Sequence, residues 1–114
     1  LAVFNVLSHN RDDHGKNFSF LMGENGEWKL SPAYDLTFSS GPRGQQSTMV
    51  MGEGQSPSMG HVLKLGQEAG LKESKVNEII EQTKSALGHW ETLANVHGVT
   101  KTNIKLIKSR IGTI

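Results

Sequence analysis

Eight residues near the start of the chain, Asn10 to Asn17, read NRDDHGKN: two carboxylates, two carboxamides, an arginine, a histidine and a lysine around one glycine. Such a set could bind a metal, move a proton or steady a negative charge. Asn10, Asp12, His14 and Gly15 fall at the first, third, fifth and sixth places of an EF-hand-like calcium loop. The twelfth place would then be Leu21, where a bidentate glutamate is needed, and a histidine ring suits a hard cation poorly. Zinc would find His9 and His14 beside Asp12 and Asp13, but there is no helical His-x-x-x-His pair and no cysteine. A plain polar turn explains Asp, Asn and Gly. It does not explain why Arg11, His14 and Lys16 crowd the same stretch.

Phosphoryl transfer is the remaining chemistry. Kinase catalytic loops follow H-R-D-x-x-x-x-N. Arg11-Asp12, four residues and Asn17 reproduce that spacing, with Asn10 in place of the histidine. The spacing has a physical cause. One carboxylate, here Asp12, must accept the proton of an incoming hydroxyl. A neutral carboxamide oxygen, here Asn17, must hold Mg²⁺ without adding negative charge beside ATP. Lys16 and His14 are the candidates to offset charge on the transferred group. A second metal carboxylate is required on or just after the next hairpin, and Asp35 in SPAYDL stands there.

These residues need elements to position them. LAVFNVLSH predicts a helix over 1–9, and its apolar residues cover nearly every face. Such a helix is normally buried on all sides. This chain has little material to surround it, so the expectation is a C-terminal piece of a larger protein. FSFLMG and EWKLS, flanking Asn25-Gly26, predict a β-hairpin. Pro32 stops the second strand. Residues 36–60 are rich in Gly, Ser, Pro and Gln and read as a long loop, with a short strand around Ser47–Met51.

The remainder reads as three helices. The first is capped by Ser58 and stopped by Gly70. The second runs from near Glu73 to Gly98, with Val76, Ile79, Ile80, Thr83, Leu87, Trp90 and Ala94 as its apolar stripe. His89 and His97 lie off that stripe and are expected at the surface. The third spans about Thr102 to Arg110, with Ile104, Ile107 and Ile111 inward and Lys101, Lys105, Lys108 and Arg110 outward.

Bulk properties narrow the classes. A chain of 114 residues suits one domain, here divided as 1–35 (catalytic-type loop and hairpin), 36–60 (long loop) and 61–114 (helical tail). Twelve basic against eleven acidic residues give a net charge of +1, which does not argue for bulk binding to nucleic acid or anionic membrane. The absence of cysteine excludes disulfides and thiolate metal sites and fits a reducing, cytoplasmic setting. No apolar run reaches the roughly 18–20 residues that span a bilayer, and the start lacks a basic leader.

DDHGKNFSFL, a short hairpin and LSPAYDL together resemble the C-terminal domain of the HipA-like serine/threonine kinases, the kinase toxins of bacterial toxin–antitoxin pairs and their relatives. The family's D-x-H-x-K-N-F-S is present as Asp12, His14, Lys16, Asn17, Phe18 and Ser19. Its P-x-Y-D is present as Pro32, Tyr34 and Asp35. The resemblance implies an α+β, mostly α, fold: the C-terminal part of a protein-kinase-like C-lobe with one hairpin and a helical tail. It implies Asp12 as catalytic base, Asn17 and Asp35 as Mg²⁺ ligands, and Lys16 and His14 in the catalytic loop. It further implies ATP as co-substrate, a protein substrate and, for the toxins, an antitoxin partner. The upstream phosphate-covering loop and lysine have no counterpart here: GEGQSP at 52–57 lacks the third glycine and the strand–turn–helix context. The isolated chain is therefore expected to be inactive. A rival reading takes residues 62–80 as a DNA-binding helix-turn-helix. Its second helix would carry Glu73, Glu78 and Glu81 towards phosphates, which argues for ordinary packing helices instead.

Overall fold

A computed structural model describes all residues, 1–114. The elements in order are α1 (Ala2–Leu7), β1 (Phe20–Met22), β2 (Trp28–Leu30), α2 (Met59–Glu68), α3 (Glu73–Leu87), α4 (Trp90–Val96) and α5 (Lys101–Lys108). The chain is α+β and predominantly helical, with one antiparallel hairpin. No helix is long and apolar enough to cross a membrane.

The core forms where α3 packs against α1 and α2. Leu7, Val62, Val76 and Ile80 are buried there, with Val3, Met59, Leu63, Leu87 and Ile114 packed around them. Gly66 is part of this fit. A methyl group at that position would overlap the side chain of Val76 on the facing helix. The helix pair 62–80 is thus a packing unit. Lys75 on its second helix pairs with Glu78 at the surface, 2.9 Å away.

Helix ends follow local chemistry. At α2 the Ser58 N–H donates to His61 Nδ1 at 3.1 Å, so a histidine reaches back where a capping box more often uses Glu. Gly70, with φ of 72°, ends α2: Leu71 N–H returns to Gly66 O and Gly70 N–H to Gln67 O. Thr100 caps α5 through Asn103 N–H. The C-terminal tail closes on the first helix, with Gly112 N–H bonded to Leu7 O at 2.7 Å.

The hairpin pairs Phe20 with Leu30, Leu21 with Lys29 and Met22 with Trp28. Its loop closes through Gly23 N–H to Glu27 O and Gly26 N–H to Gly23 O, a turn followed by a left-handed glycine. Every residue of both strands is exposed.

Three expectations need correction. The first helix ends at Leu7, not residue 9, because His9 takes a left-handed φ of 55°. Its buried residues, Asn5, Val6 and Leu7, lie at its C-terminal end, while Leu1 is exposed. No strand forms over Ser47–Met51: Ser47 and Thr48 bond to the loop at 10–13, and Val50 pairs only with Glu53 across a tight turn. The long second helix is two helices. Its ladder reaches Gly88, which bonds to Lys84 O; His89 then turns to Ala86 O, three residues back, and the ladder restarts with Leu93 on His89 O. Glycine is the weakest helix former after proline, and Gly88 sits exposed on no packed face. The apolar stripe survives the break: Val76, Ile80 and Ala94 are buried, and His89 and His97 are exposed.

Replacing Gly66 by Ala should destabilise the chain by about 1–3 kcal/mol through overpacking against the stiff Val76. Denaturant titration measures this directly, and an unchanged midpoint would show that the α2–α3 contact is looser than described.

Candidate functional site

The polar loop begins where α1 stops. His9 N–H bonds to Val6 O at 3.2 Å and Asn10 N–H to Asn5 O at 2.9 Å, the pattern that glycine makes at the end of α2. Asn10 Nδ2 also donates to Asn5 Oδ1 at 3.1 Å, with both residues buried. The His9 ring stacks on Phe38, with centroids 5.3 Å apart. Ser39 N–H bonds to His9 O and Arg11 N–H to Ser39 O, so residues 9–11 are held like a strand against the long loop.

Asp13 anchors the middle. Its side chain is buried, and both carboxylate oxygens are used: Oδ2 accepts from Gln46 Nε2 and Oδ1 from Thr48 N–H, each at 3.0 Å. Thr48 Oγ1 donates to Asp13 O, and Ser47 donates twice to Arg11 O. The Arg11 guanidinium donates to Gly44 O and to Gln55 O. Residues 41–55, composed like a free loop, therefore form a brace beneath residues 10–13.

Asp12 points the other way. Its side chain is 51% exposed and accepts no hydrogen bond; the closest ionic group is His14 Nε2 at 4.0 Å. His14 opens a 3₁₀ turn, Gly15–Asn17. Lys16 is exposed and unpaired on that turn. Asn17 is fixed by its amide nitrogen, which donates to Asp12 O at 3.0 Å. The nitrogen end faces the carbonyl, and Asn17 Oδ1 accepts no hydrogen bond within the chain.

Tyr34 ties the second acidic segment to this turn. Its hydroxyl donates to Lys16 O at 2.7 Å and lies 2.6 Å from Ser19 Oγ, which brackets Asn17. Asp35 follows directly, exposed, with a left-handed φ of 54°. The hairpin between residues 20 and 30 is the return path that allows this closure. The zinc alternative finds no support, since no three His, Cys, Asp or Glu side chains converge to hold a metal.

Asp13, Gln46, Thr48 and Tyr34 carry the geometry; the P-x-Y-D motif had named Tyr34 without giving it a task, and the other three had none in phosphoryl transfer. For Asp13 the available signal was the doubled acid, since adjacent side chains on an extended segment point to opposite sides.

Residues 1–90 match the HipA-like C-terminal domain, and the chain belongs to that family. Over 110 residues, 96% of this chain, it is 33% identical to a Sinorhizobium fredii protein named "Putative kinase Y4mE". The chain spans about a fifth of that relative, 20% of its length. No solved structure matches.

Two outcomes separate the paired acids. Asp13→Ala leaves the Gln46 amide and Thr48 N–H without acceptors and should cost about 1–3 kcal/mol or more. Asp12→Asn should change stability by less than about 0.5 kcal/mol. Equal effects in denaturant titrations would contradict the inward–outward assignment.

His9 supplies a pH test. Partial burial, then the positive charges of Arg11 and Arg110, hold its pKa below the ordinary value. The unfolded chain therefore binds the proton more readily than the folded one. Stability contributed by neutral His9 is present above about pH 6.5 and is lost as pH falls below it, towards the lower folded pKa. His9→Asn keeps a residue tolerant of positive φ. It should flatten the rise in unfolding midpoint between pH 5.5 and 7.5.

Proposed function

We propose that this chain supplies the catalytic loop and metal-binding residues of a longer HipA-like serine/threonine kinase, which moves the γ-phosphoryl group of ATP to a protein hydroxyl. Family membership and the name of the relative support a kinase at the coarse level. The observation that carries the finer reading is the bond from Asn17 Nδ2 to Asp12 O. It couples the two residues of opposite role: the backbone of the proposed base sets the direction of the proposed metal ligand.

The donor set fits Mg²⁺. Asn17 Oδ1 and the Asp35 carboxylate are hard oxygen donors without a partner inside the chain, and Mg²⁺ takes few protein ligands, leaving the rest to water and phosphate. When bound, Mg²⁺ supplies neutralisation of the phosphate oxygens of ATP. The exposed Asp12 carboxylate accepts the proton of the attacking hydroxyl, at an oxygen with no competing donor. Exposed Lys16 adds positive charge beside the loop where the phosphoryl group passes, and the His14 ring, 4.0 Å from Asp12, lies next to the proposed base. The brace at 41–55 keeps the loop fixed during transfer, so that positioning costs little at the moment of reaction.

The test uses the full-length protein. Asp12→Asn should lower phosphoryl transfer to a protein acceptor by about 10²–10⁴-fold. Asp35→Asn and Asn17→Ala should raise the Mg²⁺ concentration needed for half-maximal rate. Undiminished transfer by the Asp12 variant would refute its role as base. The 114-residue chain alone should show no measurable ATP turnover, since the residues that would cover the nucleotide are not part of it.

A further inference from the structure

Arg11 has no part in the chemistry above, although it adjoins Asp12. Arg11 lines a cavity of about 660 Å³ that Asp12 does not line. His9 and Arg11 form one wall, Ser56 and Ser58 a second, and Arg110 and Thr113 a third. A smaller adjoining cavity of about 210 Å³ is again lined by His9, Arg11 and Arg110. No acidic residue lines either one.

Neither arginine is ion-paired with any carboxylate. Arg11 uses donors on Gly44 O and Gln55 O, and the remainder of its five stay free. Arg110 makes no side-chain hydrogen bond, and its residue is exposed. The nearby loop acid, Glu53, turns its carboxylate to the N–H groups of Gln55 and Ser56. Arg11 and Arg110, from opposite ends of the chain, thus line one space with His9 beside them and no acidic side chain in the lining. Burial first, and then the charges of Arg11 and Arg110, hold the His9 pKa down. Like charges held together repel, and a bound anion reverses the sign of that interaction.

We propose that His9, Arg11 and Arg110 form a binding site for a phosphoryl group, separate from the proposed transfer site and independent of the kinase reading. Two guanidinium forks match the oxygens of a phosphate better than those of a halide, and the Ser56 hydroxyl adds a donor at the rim. The cavity exceeds what a free phosphate fills, so the group can arrive either as inorganic phosphate or on a phosphorylated side chain. In both cases it joins the start of the site loop to the 55–58 segment and to the end of α5.

The test titrates the chain with sodium phosphate and with O-phosphoserine, against sodium chloride at matched ionic strength, by calorimetry and by thermal midpoint. At least one phosphoryl probe should bind saturably and raise the midpoint, and chloride should not. Arg110→Gln, at an exposed position, should weaken binding by about tenfold or more. Arg110→Lys should recover part of it, because the charge returns without the fork. Lys101→Gln, elsewhere on α5, should change nothing. Tighter binding of O-phosphoserine assigns the site to a phosphorylated side chain; tighter binding of phosphate assigns it to the free ion. Absence of saturable binding by both probes would overturn the proposal. So would binding that Arg110→Gln leaves intact, or that Lys101→Gln reduces equally.

Discussion

A carboxylate taken out of water must be given donors, and Asp13 obtains its donors from residues more than thirty positions away. That requirement organises the chain. Gln46 and Thr48 cannot reach Asp13 unless residues 41–55 fold beneath the 10–13 segment. Once they do, Arg11 O, Asn10 O and the Arg11 guanidinium find their partners in the same strip. An ionised group left buried and unpaired is among the most expensive defects a fold can carry. The register of brace against loop is correspondingly narrow.

The helices contribute by fixing where this arrangement starts and closes. α1 is held by the Leu7, Val62, Val76 and Ile80 core, and its carbonyl end is tied by Gly112. The chain then leaves α1 through a left-handed His9, a conformation that Asp35 shares on the other side of the site. Non-glycine residues in that conformation cost free energy and persist only where surrounding contacts hold them. His9 has its stack on Phe38; Asp35 has Tyr34 bonded to Lys16 and Ser19 just before it. Both strained residues thus sit beside the tethers that aim Asp12 and Asn17.

Local signals were readable in the residues themselves. Asn25-Gly26 marked the hairpin, Ser58 and Gly70 bounded α2, and the spacing of Val76, Ile80 and Ala94 identified the buried stripe. What pattern could not supply depends on partners far along the chain. The choice between Asp12 and Asp13 is settled by Gln46 and Thr48, whose polar composition reads as loop either way. For the same reason the strand suggested at Ser47–Met51 does not form: Ser47 and Thr48 serve Arg11 and Asp13, and Val50 turns back on Glu53. The division at Gly88 was hidden by an apolar period that continues across it, since periodicity records burial and not the hydrogen-bond ladder.

The hairpin has one more consequence. Phe20, Met22, Trp28 and Leu30 are all more than half exposed, on two short strands with no third strand beside them. Each outer edge offers unpaired backbone donors and acceptors next to large apolar side chains, which is the form that templates strand addition between molecules. The element that returns the chain from Asn17 to Asp35 is therefore also its most adhesive surface. Charge placed on that ribbon, away from Tyr34 and Ser19, is the physical route to keeping the protein dispersed at high concentration.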